Sequence, residues 1–137
     1  MLGRNAKVDM IRRVPLFSRC SKKCLAEIAG IADEIDLPEG KQLTREGDRA
    51  REFVVLVDGT ADVRQNGKLV NELSKGDFLG EIGLVTNEPR TATVTTTSPT
   101  RALVITDREF SALLRESPQI SRSVIEALGE RLLNDLS

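Results

Sequence analysis

Between Glu34 and Asp107 the chain is cut into short β-prone runs by turn residues at nearly even spacing. That rhythm leaves room for strands and little else. The runs are Ile35 to Leu37, Lys41 to Arg45, Glu52 to Val57, Thr60 to Gln65, Lys68 to Leu73, Ala92 to Thr97 and Arg101 to Thr106. Between them stand Pro38-Glu39-Gly40, Glu46-Gly47-Asp48, Asp58-Gly59, Asn66-Gly67, Lys75-Gly76-Asp77 and Ser98-Pro99. Glu52 to Val57 is almost continuously apolar, which predicts a strand buried on both faces. Asp58-Gly59 reads as a hairpin and Asn66-Gly67 as a stronger one. Ala61 and Val63 share one side of an alternating run, and Lys68 to Leu73 alternates too. The spacing predicts a β-sandwich or jelly roll.

The ends of the chain read as helices. Val8 to Arg13 predicts a short helical turn stopped by Pro15. Val14-Pro15-Leu16-Phe17 places apolar residues against a domain. Ser21 is an N-cap candidate for a helix to about Asp33, with Leu25, Ile28, Ala29 and Ala32 on one face. Asp107 can cap a helix through Phe110, Leu113 and Leu114. Ser117-Pro118 opens another, with proline in its first turn. Ile120, Val124, Leu128 and Leu132, flanked by Ile125 and Leu136, give that last helix an apolar stripe. The expectation is one mainly β domain with flanking α over 1–137. It divides into a helical segment at 1–33, a β-roll at 34–107 and C-terminal helices at 108–137.

Composition narrows the function. The 137 residues carry 20 basic and 21 acidic side chains, a formal net charge of −1, so bulk charge favours neither nucleic acid nor a membrane surface. The basic N-terminal stretch, Arg4 to Lys23 with Asp9 alone opposing it, reads as a solvated helical face. No apolar run reaches the roughly 20 residues of a membrane span, and no secretory leader is apparent. A cytoplasmic chain is expected. There is no histidine. That removes the commonest neutral-pH acid–base catalyst and the usual cupin metal site. Cys20 and Cys24, four apart on the predicted helix, share a face as reduced thiols and are too few for a zinc site. No nucleophile–base pair, phosphate loop or metal cluster can be nominated, so the chain reads as a non-enzyme.

One stretch carries ligand chemistry: Leu79-Gly80-Glu81-Ile82-Gly83-Leu84, followed by Pro89-Arg90-Thr91-Ala92-Thr93-Val94. Gly80 lets the backbone approach a ligand or take a positive φ. The residues after it can form one helical turn with free N–H groups facing an anion. Arg90 offers a permanently charged fork for a phosphate, with Pro89 stiffening the approach. Glu81 would repel a phosphate but can accept a hydrogen bond from a ribose hydroxyl. An acid for sugar and a base for phosphate on one loop describe a nucleotide site. Taken singly, Glu81 could merely stabilise its own turn and Arg90 be a solvated charge.

The string resembles the phosphate-binding cassette of the cyclic nucleotide-binding domain family, that of the catabolite activator protein and the cAMP-dependent kinase regulatory subunits. Val14 to Phe17, Pro38 to Gly40, Arg45 to Asp48, Phe53 to Gly59 and Gly76 to Phe78 resemble the family's punctuation in the same order. The resemblance implies an eight-stranded β jelly roll with helices from both chain ends. It implies Glu81 on the ribose 2′-hydroxyl and Arg90 on the cyclic phosphate. It adds the backbone N–H groups of Ile82, Gly83 and Thr91, with the Thr91 hydroxyl. Val63, Val70 and Leu73 stand where base contacts are made, and read equally as strand core. Gly83 replaces a common alanine, and Leu79 a common aromatic. A lid over the base would come from Arg131 or Leu132 on the last helix, which read also as solvated charge and helix stripe.

A hydroxyl at Thr91 accompanies guanine binding in cGMP-dependent kinases, yet bacterial cAMP binders carry one too. The reading leans to cAMP over cGMP as ligand. The resulting expectation is a non-enzymatic sensor whose C-terminal helix closes over the bound base and relays to an effector or a second copy. The alternatives are a ligand-gated regulatory piece of a larger protein (a transcription regulator, channel or fused enzyme) and a nucleotide-free interaction domain. No winged helix-turn-helix fits after Val94, so DNA is not an expected partner of this chain alone.

Overall fold

A computed structural model describes residues 2–49, 51–81, 84 and 89–136, with backbone alone at 131, 135 and 136. The chain forms two compact units, residues 33–107 and the two ends, 1–32 with 108–137.

Among the described residues the β unit holds eight strands: β1 Asp33–Leu37, β2 Gln42–Thr44, β3 Glu52–Asp58, β4 Ala61–Gln65, β5 Lys68–Leu73, β6 Phe78–Leu79, β7 Thr93–Thr96 and β8 Thr100–Thr106. They make two four-stranded antiparallel sheets, ordered β1-β8-β3-β6 and β2-β7-β4-β5. Val54, Leu56, Ala102 and Val104 of the first sheet meet Ala61, Leu73 and Val94 of the second in one apolar core. Leu37, Leu43, Val63 and Leu79 pack against it. Residues 53–57 are all buried, so β3 is covered on both faces, as its unbroken apolar run predicts. Across from it on β8, Phe53 pairs with Ile105 and Val55 with Leu103.

Asn66-Gly67 makes the predicted hairpin. Both residues have positive φ, 52° and 79°, as a type I′ turn between β4 and β5 requires. Asp58-Gly59 does not. It joins β3 to β4, which lie in different sheets, so it is a corner. Gly59 has φ 100°, and a Cβ there would stand 2.8 Å from both the Pro99 carbonyl oxygen and the Thr100 Cα. The corner is pinned from Thr60, whose amide donates to Ser98 Oγ at 3.0 Å and whose carbonyl accepts from the Thr97 amide at 2.9 Å. Gly67 has no such neighbour within 4 Å. Gly59→Ala is therefore expected to destabilise by about 2–4 kcal/mol, from a left-handed residue plus overpacking against backbone. Gly67→Ala, strained but unobstructed, should cost about 1–2 kcal/mol. Urea denaturation of the two variants checks the difference.

β5 is not the regular alternating strand that its sequence suggests. Val63 pairs with Asn71 and Arg64 with Leu69, leaving Val70 as the extra residue of a bulge. The two-residue β6, unread in the sequence, extends the first sheet through Val54 and Val55.

In the helical unit, α1 spans Arg4–Arg12, longer than predicted, and a 3-10 turn covers Pro15–Phe17. α2 spans Lys22–Gly30 and is capped by Ser21, whose Oγ accepts from the Cys24 amide at 3.2 Å. It ends three residues earlier than predicted, because Asp33 already belongs to β1. α3 covers Asp107–Glu116 and α4 Pro118–Leu136. Ser117 Oγ accepts from the Ile120 amide at 3.3 Å, a cap for α4. Phe17 and Phe110, both fully buried, have ring centroids 5.7 Å apart. The α4 stripe is buried only in its first half, at Ile120, Val124 and Ala127, while Ile125, Leu132 and Leu133 are exposed.

Cys20 lies before the cap, off the helix, so the two thiols do not share a helical face. Both are free. Burial pushes the Cys20 thiol up to about 11; Cys24 adds to the rise and a hydrogen bond with Ser123 opposes it. Iodoacetamide near pH 8 should label Cys20 about a hundredfold more slowly in the folded chain than in urea, because only the thiolate reacts. Peptide mapping of the two samples checks this, and equal rates would contradict the raised pKa of this half-buried thiol.

Candidate functional site

The site grows from three backbone segments of the β unit. The first is the turn after β2, where the Asp48 amide donates to the Arg45 carbonyl at 3.0 Å. The second is Pro89-Arg90, which runs antiparallel to that turn. The Arg90 amide donates to the Asp48 carbonyl at 2.7 Å, and the Gly47 amide to the Arg90 carbonyl at 2.9 Å. Arg49 and Pro89 form a bridge beside them. Gly47, with φ 88°, lets the chain make this reversal. The third segment is Gly80, which follows β6.

Gly80 has φ 82°. A Cβ at this position would overlap the Arg90 guanidinium and stand 2.7 Å from the Glu52 carbonyl oxygen. Arg90 Nη2 donates to that same carbonyl. The structure thus brings Gly80 and Arg90 together, though they stand ten positions apart in the chain. Two independent demands, positive φ and an occupied Cβ position, require glycine here. Burial pulls the Arg90 guanidinium below the ordinary arginine value, and the Glu52 carboxylate acts in the opposite sense. The group stays charged at any working pH. It is a partly dehydrated cation, and among the described residues one carbonyl, that of Glu52, holds it from behind.

Glu81 is buried, with 7% exposure. The Leu84 amide donates to its carbonyl at 3.2 Å. Ile82 and Gly83, the expected amide donors, lie outside the described residues. Thr91 is exposed. Leu73 is in the core and Val63 packs on it, while Val70 is 52% exposed. Val70 and Leu73, three apart, would face opposite ways in a regular strand, and the bulge lifts that rule. On α4, Leu132 is 60% exposed, and the Arg131 side chain lies outside the described residues.

Two partners escaped the sequence reading. The Glu52 carbonyl carries no side-chain signal, since every residue has one. Gly47 and Asp48 appear in the sequence as a turn, and nothing there says that Arg90 pairs with it. Among the described residues, no group of three or more His, Cys, Asp and Glu side chains could hold a metal ion. No described helix is long and apolar enough to cross a membrane.

A glycine-backed, half-buried arginine beside an antiparallel β-roll has the chemistry to suit an anion. The chain belongs to the cyclic nucleotide-binding domain family, whose model matches residues 34–117. It is 40% identical over 113 residues to a cAMP-dependent protein kinase regulatory subunit of Mycosarcoma maydis, covering 74% of this chain and 21% of that one. Among solved structures it resembles the N-terminal domain of a transcriptional regulator from Streptomyces coelicolor A3(2), with TM-score 0.84, 25% identity and coverage of 93% and 94% of the two chains. It also resembles the regulatory domain of Toxoplasma gondii PKA solved with cAMP, with TM-score 0.73 and 26% identity over 80% of this chain and 43% of that one. The chain spans 21% to 39% of the length of the first three curated relatives it matches.

Proposed function

We propose that this domain is a non-enzymatic sensor that binds cAMP in preference to cGMP. Arg90 holds the cyclic phosphate and Glu81 the ribose 2′-hydroxyl. The observation that carries this reading is the Gly80–Arg90 contact. A guanidinium fixed by backbone on one side and dehydrated by burial gains most from an anion that replaces the lost water. The amides of Ile82, Gly83 and Thr91 complete the phosphate shell, and Val63, Val70 and Leu73 line the base. The ligand acts by binding one position of α4 more tightly than another, with Arg131 or Leu132 closing over the base. The exposed Ile125, Leu132 and Leu133 then offer an apolar face to an effector or a second copy.

The short share of its relatives' length that the chain covers favours a second layer to this reading. The domain would gate a larger regulator, kinase complex or channel, as the names of its relatives suggest. A thermal-shift series with cAMP, cGMP and 5′-AMP tests the first layer. The expected order of stabilisation is cAMP, then cGMP, with 5′-AMP inactive, because a ligand raises the melting temperature only through its affinity for the native state. No shift with either cyclic nucleotide would overturn the assignment.

A further inference from the structure

A pocket of about 220 Å³ opens beside Arg90, lined by Gln42, Leu43, Thr44, Arg45, Asp48, Arg49, Arg51 and Glu52 as well as Arg90. At that size it falls below the roughly 300–1,000 Å³ of a pocket for a whole organic ligand, and suits a small anion of one or two phosphate groups. Its charge is lopsided. Its lining includes four arginines and two acidic residues, Asp48 and Glu52. Glu46, next to Arg45 in sequence, turns its Oε1 to the Asn66 amide at 3.0 Å. Asp48 is committed through its backbone to Arg90, and its carboxylate is one of only two counter-charges in the wall. The formal balance of the lining is therefore +2. A cyclic monophosphate on Arg90 brings one negative charge and leaves the remainder uncompensated. Arg45, Arg49 and Arg51 are exposed, so solvent screens part of their repulsion, and an anion among the four would relieve the remainder.

We infer that Arg45, Arg49 and Arg51 form a second anion subsite next to the Arg90 position, built for a phosphate group beyond the cyclic one. The ligand class is a small polyanion of the pyrophosphate type, bridging Arg90 and the three outer arginines. The guanidinium fork suits such oxygens bidentately. The subsite deepens the cyclic-nucleotide reading, because it shares Arg90, but it does not need a base or a ribose.

The test is calorimetric titration of the full chain with inorganic pyrophosphate, orthophosphate and cAMP, at matched ionic strength with chloride as the competing anion. Wild type is compared with Arg49→Gln/Arg51→Gln and with Arg90→Ala. Both glutamine substitutions are at exposed positions, and a melting curve verifies that the variant folds. Pyrophosphate is expected to bind wild type at least tenfold more tightly than orthophosphate. The double variant should lose at least tenfold in pyrophosphate affinity while its cAMP affinity changes far less, since the cyclic phosphate engages Arg90 and the exposed outer charges act on it only through solvent and salt. Three results would overturn the subsite: no pyrophosphate binding above chloride, equal pyrophosphate affinity in wild type and double variant, or an equal loss of cAMP and pyrophosphate in the double variant. Pyrophosphate binding without cAMP binding would instead sink the cyclic-nucleotide reading and leave the subsite standing.

Discussion

Arg90→Ala is expected to weaken cyclic nucleotide binding by about 2–5 kcal/mol, roughly thirty-fold to a few thousand-fold. The magnitude follows from what the substitution leaves behind. The phosphate would lose its charged partner, and the Glu52 carbonyl would lose the donor that now occupies it. Arg90→Lys should recover only part of the loss, because an ammonium offers a point charge where the site holds a planar fork. The fold should suffer little, since the backbone of Arg90 keeps its bonds to Gly47 and Asp48 whatever its side chain. Calorimetry with cAMP reads the affinity and a melting curve reads the fold. Equal affinities in wild type and Arg90→Ala would remove the phosphate role from this residue.

Phe53→Ala should lower the stability of the fold that Arg90→Ala leaves largely intact. Phe53 is fully buried on β3, and its ring centroid lies 6.2 Å from that of Phe78 in a tilted arrangement. The chain has only four phenylalanines and no tryptophan or tyrosine, so few side chains can refill the space. Truncation of a buried phenylalanine costs about 3–5 kcal/mol through lost transfer energy and the cavity it leaves. Against a typical total of about 5–15 kcal/mol, that is a large share. Urea denaturation should show a lower midpoint with an unchanged slope. A saturating ligand should recover part of the loss, by about 2.7 kcal/mol at a hundred times its dissociation constant. A loss below about 1 kcal/mol would mean that the core relaxes around the site far better than its packing suggests.

The parts of the fold legible in the sequence are those set by local chemistry. The β3 run could only be buried, Asn66-Gly67 could only be a tight turn, and Ser21 could only start a helix or cap nothing. The misread parts depend on partners distant in sequence. Asp58-Gly59 has hairpin chemistry, yet the strands it joins belong to different sheets, and the glycine answers to Pro99 and Thr100. The bulge at Val70 shows only in register with β4. The second half of the α4 stripe is apolar by spacing but exposed, because periodicity states which residues share a face and not whether that face is covered. In the site, Gly80 and Arg90 announced themselves by residue type. The Glu52 carbonyl did not, since backbone is silent in sequence, and the arginines at 45, 49 and 51 acquire meaning only once the turn after β2 folds beside Arg90.

The extra residue at Val70 has a consequence for the molecule in a crowded solution. β5 is the outermost strand of its sheet, and Leu69 and Val70 are both about half exposed. A flat, apolar outer strand of this kind would recruit the same strand from another copy and seed fibrils. The bulge breaks the two-residue repeat of donors and acceptors that such recruitment needs. The irregularity that makes β5 hard to read in the sequence is thus a guard against self-templating.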